Sequence, residues 1–273
     1  MEINKMIVSL AVSLGLLFSA LLPASANETV NVATVLYPPL VFEDAEPKFG
    51  KGMLRDIVTE AFAAEGLSAQ YDLLPMSRNV WSIVKRVQDC CLGSMEWFRQ
   101  SGLEDKVEAV DNIQLNFVGF YQVKRFPEGV AFNRLAELNK YSFGNVRGSS
   151  SQRVLDEAGL ETDLASDIRI NFLKLNAGRF DFAVAFRVTG EYLIWELFPE
   201  KAPEFSFTTK AIEQMKLSVI FQKRNRKLKR TFIKGLEKIA RDGTYYSILK
   251  RYHVNGIVPE DIIPKNLRAV VKK

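Results

Sequence analysis

The chain has 273 residues, 47% of them apolar and 25% charged, with a formal net charge of +5. That apolar share is ordinary for a globular protein and excludes a disordered or low-complexity chain. The only cysteines, Cys90 and Cys91, are adjacent and have no histidine nearby, so no metal site is read from them. Two buried thiols in a strand are expected, with a strained vicinal disulfide as the alternative.

In chain order, the first predicted segment is an export signal. Lys5 precedes an apolar run over residues 6–22, then Pro23 and Ala24-Ser25-Ala26, a small-x-small pattern that predicts cleavage after Ala26. The run is short for a membrane span, and no cysteine stands at the site to carry a lipid, so an exported, unanchored chain is expected. Taking 26 residues from 273 leaves 247, enough for two small domains.

Residues 30–36 form a β-branched run that predicts a strand, ended by Tyr37-Pro38-Pro39 because proline cannot donate to a ladder. Leu54, Ile57, Val58, Ala61 and Phe62 then recur at helical spacing up to Gly66. A strand is predicted over 70–74, a helix through Trp81, Ile83, Val84 and Val87, and a short buried strand over 90–93. A strand over 117–123 follows. A second alternating set comes next, with strands over 141–146, 168–170 and 182–186 and helices over 151–158, 171–176 and 190–197. Another extended run, 216–221, leads to terminal helices. Strand and helix alternating in this way predict mostly parallel sheets covered by helices. Two such sets joined by two extended runs predict a second domain inserted into a discontinuous first.

Residues 236–252 end the chain in a basic amphipathic helix (Leu236, Ile239, Ala240), the turn Arg241-Asp242-Gly243-Thr244-Tyr245, and a second helix with Tyr246, Ile248, Leu249 and Tyr252. Gly243 suits the left-handed closure of the first helix, and Thr244 is the expected cap of the second. The helix-Asp-Gly-Thr-Tyr-helix arrangement resembles the terminal signature of bacterial extracellular solute-binding proteins of family 3, the periplasmic amino-acid-binding type. Tyr37-Pro38-Pro39 is similar to the opening of that family's mature chain. The segment from Tyr141-Ser142-Phe143-Gly144-Asn145-Val146-Arg147 to Gly148-Ser149-Ser150 resembles its glycine-valine-x-x-glycine-threonine-threonine segment. Gly178-Arg179-Phe180-Asp181 resembles its glycine-x-valine-aspartate strand entry. The motifs follow in order and cover roughly the whole mature chain. The resemblance implies an α/β, two-lobed periplasmic binding protein, each lobe a mixed, mostly parallel sheet flanked by helices, with a two-stranded hinge near 119–122 and 213–217. Its division would be a signal peptide over 1–26, the first lobe over 27–120 and 214–273, and the second over 121–213.

Ligands of two-lobed α/β proteins lie at the C-terminal ends of strands. Four loops are expected there. They offer Tyr37; Arg78 after Pro75; Ser94, Trp97 and Arg99; and Arg147, Ser149 and Ser150 immediately before a helix. That last group presents free N–H groups and a helix dipole to an anion. The amino-acid-binding relatives pair the ligand carboxylate with an arginine where this chain has Glu104, and the ammonium with an aspartate where it has Phe186. These departures imply a small polar or anionic organic ligand other than a standard α-amino acid, with Phe186 in the site.

The resulting expectation is a monomeric periplasmic protein that closes on a small-molecule ligand and hands it to an inner-membrane ABC transporter permease or a sensor. No enzyme activity, cofactor, metal or nucleic-acid partner is expected. The alternatives are a dehydratase-like enzyme using Glu96, Glu104 or Asp111, and a ligand-free sensory or interaction protein. In the latter the basic stretch 223–230 would meet an acidic partner or a membrane surface, although a solvated loop and helix start is the preferred account of it. His253, the single histidine, is expected at the surface.

Overall fold

The structure, a computed structural model, describes residues 28–273; the predicted signal segment lies outside them. The first α/β set is β1 (Glu28–Thr34), α1 (Met53–Ala63), β2 (Leu67–Leu73), α2 (Met76–Val84), β3 (Cys90–Gly93) and α3 (Met95–Gln100). Its strands pair in parallel in the order β2-β1-β3. The second set is β5 (Phe143–Val146), α4 (Ser150–Glu157), β6 (Thr162–Ala165), α5 (Ile168–Asn176), β7 (Phe182–Phe186) and α6 (Arg187–Leu197), with β7, β5 and β6 again parallel.

Two long strands carry the chain between these sets. β4 (Val107–Gln122) and β9 (Glu213–Gln222) run antiparallel, from Val107 opposite Gln222 to Phe117 opposite Glu213, with a register shift between Asp111 and Ile113. β9 borders β3 in the first set. At Phe117, β4 passes to β7, and further on it also takes β8 (Phe205–Phe207). The sheet order is therefore β2-β1-β3-β9-β4-β7-β5-β6, continuous through both lobes. Gly119–Gln122 lies inside the pairing of β4 with β7 and β8, so the change of partner comes slightly earlier than residue 119.

The C-terminal helices α7 (Arg226–Asp242) and α8 (Thr244–Tyr252) return to the first lobe. Phe232 packs on Phe62 of α1 with ring centroids 5.0 Å apart. Gly235 allows this approach, since a Cβ there would overlap the carbonyl of Ala61. Gly243 closes α7 in the left-handed conformation at φ 92°. The start of α8 differs from expectation: the Asp242 carboxylate, not Thr244, caps it, accepting from the Thr244 N–H at 2.9 Å. Tyr245 Oη donates to the Asn112 carbonyl at 2.6 Å, and Tyr252 Oη donates to Asp56 at 2.6 Å while accepting from Gly52 N. The terminal signature therefore ties the first lobe together.

Four further expectations are corrected. Residues 168–170 are the first turn of α5, because Asp167 caps that turn by accepting from Arg169 N at 2.6 Å; the strand precedes it as β6. β4 begins at Val107, ten residues before the predicted start. The helix expected through Val87 ends at Val84, with Trp81 48% exposed beside the Lys85 ammonium. His253 is 4% exposed, its Nδ1 bonded to the Leu249 carbonyl at 2.7 Å, and burial holds its pKa below the ordinary imidazole range. Cys90 and Cys91 are buried free thiols. Part of the basic stretch is paired, Lys229 with Glu108, while Arg224, Lys227 and Arg230 are exposed. No helix among the described residues is long and apolar enough to cross a membrane.

Candidate functional site

A cavity of about 250 Å³ lies where the two sets meet, at the C-terminal ends of β1, β3, β5 and β7. Parallel strands end on one edge, so loops distant in sequence converge there. The first lobe contributes Thr34 and Val35 from the end of β1, Tyr37, Leu40 and Val41 beyond it, Met76 from α2, and Leu92, Gly93 and Trp97 around β3 and α3. The crossing strands add Phe117, Met215 and Leu217. The second lobe supplies Asn145 and Val146 from the end of β5, Arg147 to Ser151 beyond it, Ile168 from α5, and Val184 and Phe186 from β7.

The walls are aromatic and tightly registered. Phe117 and Phe186 are cross-strand neighbours in the β4–β7 pair, with rings stacked at 3.9 Å. Tyr37 meets Phe186 edge-on at 5.8 Å, an aromatic contact from one lobe to the other. Burial holds the Tyr37 phenol above its ordinary range; Thr189 stands beside it but outside full hydrogen-bond geometry. On the floor, the Trp97 indole lies against the backbone of β3, where a Cβ on Gly93 would overlap its ring. A glycine at the strand's last position therefore seats the indole.

The polar end is the turn into α4. Gly148 takes φ 74°, which directs the chain from β5 into the helix. Ser149 stands at the N-cap position without bonding a helix N–H. Its hydroxyl instead donates to Asn145 Oδ1 at 3.1 Å, as does that of Ser151 at 3.2 Å, while Val146 N reaches the same oxygen at 2.8 Å. Asn145 is 1% exposed, and its Nδ2 has no partner. The first-turn N–H groups of a helix have no intrahelical acceptor, so this end favours an anion. Arg147 is the only formally charged residue among the described residues lining the cavity.

Of the residues singled out from the sequence, Tyr37, Trp97, Arg147, Ser149, Ser150 and Phe186 line this cavity, and Arg78, Ser94 and Arg99 do not. Arg78 is exposed on α2. Ser94 caps α3, accepting from Glu96 N at 3.2 Å. Arg99 turns outward to pair with Glu96 at 3.0 Å. Glu104 and Asp111 also lie outside the lining, with Asp111 held by Lys216 and Ser218. Phe117, Met215 and Leu217 escaped sequence reading because a strand residue facing a cavity has the same pattern as one facing a core. Asn145 had a signal, since asparagine is depleted from strands.

No protein-family model matches the chain. No curated protein matches it either. Solved structures do. A GluR0 ligand-binding core in complex with L-glutamate is 11% identical with a TM-score of 0.67, covering 84% of this chain and 99% of that one. A histidine kinase sensor domain with similarity to periplasmic binding proteins is 18% identical, with a TM-score of 0.63 over 85% of this chain and 99% of that one. An ancestral arginine-binding protein bound to arginine is 18% identical, with a TM-score of 0.62 over 83% and 98%. At these identities the likeness concerns the fold: this chain has the two-lobed α/β architecture of the periplasmic solute-binding proteins.

Proposed function

We propose that this protein is an exported solute-binding receptor. Freed of its signal segment after Ala26, it works in the periplasm as a monomer. It closes on a small polar or anionic organic ligand and presents it to an inner-membrane ABC transporter permease or a sensor. The observation that carries this reading is the position of the cavity, walled by both lobes and by the strands that join them. Similar folds include the substrate-binding protein of an amino acid ABC transporter and a histidine kinase sensor domain, which supports the two destinations.

The lobes would divide near residues 120 and 213. Bending would be absorbed where β4 exchanges β9 for β7, beyond the register shift at Asp111 and Ile113. A ligand that binds both lobes then draws open molecules toward the closed form by its differential affinity. Native mass spectrometry of protein purified without denaturation weighs any retained molecule, and small-angle scattering with and without that molecule measures closure. Retention of a zwitterionic amino acid contradicts the ligand class. One rigid shape across a broad ligand panel, with no heat of binding, overturns the receptor reading itself.

A further inference from the structure

The charge inventory of the cavity narrows what it can hold, and the inference rests on the receptor reading above. We propose that the ligand is a hydrophobic monocarboxylate without an ammonium group. Its carboxylate would sit at the start of α4 and its aryl or branched alkyl body between Trp97 and Phe186.

Two independent features mark the carboxylate end. One is the open N-terminus of α4, an eight-residue helix whose N-cap serine does not cap it. The other is Asn145, which lines the cavity and is nearly inaccessible; its Oδ1 holds the turn into that helix, and its Nδ2 has no partner. A buried amide donor left without an acceptor is destabilising. A carboxylate oxygen accepts such donors with charge-assisted bonds, and Arg147 supplies the single balancing charge. One cation suits one carboxylate.

The body follows from what the walls lack. No carboxylate is among the described residues lining the cavity, so an enclosed ammonium would be desolvated without a partner. The nearest claim comes from Glu213, which shares a strand face with Met215 and Leu217 but lies outside the lining. Burial raises its pKa, which disfavours the charged form an ammonium needs. Glu96, on the facing helix, is held by Arg99. Apart from the Thr34 hydroxyl, everything else that faces the body is apolar or aromatic, and a volume of about 250 Å³ limits it to a small molecule.

The test uses one carbon skeleton with four heads: 3-phenylpropionate, 3-phenylpropanamide, L-phenylalanine and 2-phenylethylamine, with 4-methylpentanoate as the alkyl arm. Isothermal calorimetry at neutral pH is run on the full mature chain and on Arg147→Gln, a change at an exposed position chosen to spare the fold. Either acid should bind at least about tenfold more tightly than the amide, the amino acid or the amine. Arg147→Gln should remove most of the acid's advantage and weaken amide binding far less. If L-phenylalanine matches or exceeds 3-phenylpropionate, the ligand class is overturned and the receptor reading stands. If acid and amide bind alike, the anionic head is overturned. If neither acid binds but one of the twenty amino acids does, the class alone falls. If nothing binds and scattering detects no closure, both fall together.

Discussion

Two helices in this molecule begin with the same pair of residues and end in opposite states. Gly93-Ser94 leads into α3 and Gly148-Ser149 into α4, both at the rim of the cavity. At α3 the serine does what its position favours: it is extended at φ −114° and accepts from Glu96 N. At α4 the serine has a similar extended backbone, φ −69° and ψ 154°, yet makes no cap bond. The difference is a competitor. Asn145 Oδ1 draws the hydroxyls of Ser149 and Ser151 into the turn, whereas the Ser94 hydroxyl bonds its own helix. The residue at an N-cap therefore does not decide whether the helix is capped; the acceptor beside it does. One lobe thus closes its helix end while the other leaves one open.

The glycines of the two pairs also differ, and substituting them should give the largest effects. Gly93→Val forces the Trp97 indole off the strand, because a Cβ there overlaps the ring. Overpacking of this kind costs about 1–3 kcal/mol. Chemical denaturation should register it, and the cost should largely vanish in a Trp97→Ala background, where the clash is gone. Gly148→Ala meets no neighbouring atom within 4 Å, so only its left-handed backbone is strained. Its cost should be about 1 kcal/mol and the same with or without Trp97. Equal sensitivity of both substitutions to the Trp97 background would mean that Gly93 does not seat the indole.

The same contrast explains what could be read from the sequence. β3 and β7 were legible to the residue, since each is a short apolar run with a sharp boundary. The first half of β4 was not, because Glu108 and Asp111 read as loop until their partners Lys229 and Lys216 come into view. Residues 168–170 read as strand from two isoleucines, but the Asp167 cap outweighs a three-residue propensity. In the site, residues at or beyond strand ends were found, and those within the crossing strands were not. Tyr37, Trp97 and Phe186 announce themselves as aromatics at strand ends, whereas Phe117 and Met215 carry no mark distinguishing cavity from core. Arg78 and Arg99 were misdirected by helical geometry: each stands two residues past a lining residue, Met76 and Trp97, about 200° around its helix. Ser94 was misdirected by chemistry. Its hydroxyl was the expected donor to a ligand, but its own helix takes it first.

The smallest effects come from the serines themselves, and they test the comparison most directly. Ser94→Ala removes the one side-chain acceptor at the start of α3, so it should cost about 1 kcal/mol in stability. Ser149→Ala removes a hydroxyl that caps nothing, and Ser151 still donates to Asn145 Oδ1. Its cost should therefore be no more than a few tenths of a kcal/mol, because Asn145 Oδ1 keeps Ser151 Oγ and Val146 N as donors. Urea denaturation of the two variants beside the parent separates these values. A Ser149→Ala loss as large as that of Ser94→Ala would mean that Ser149 caps α4 in solution. The helix end facing the cavity would then be as closed as its counterpart across the cleft, and the affinity for an anion would have to come from Arg147 and Asn145 alone.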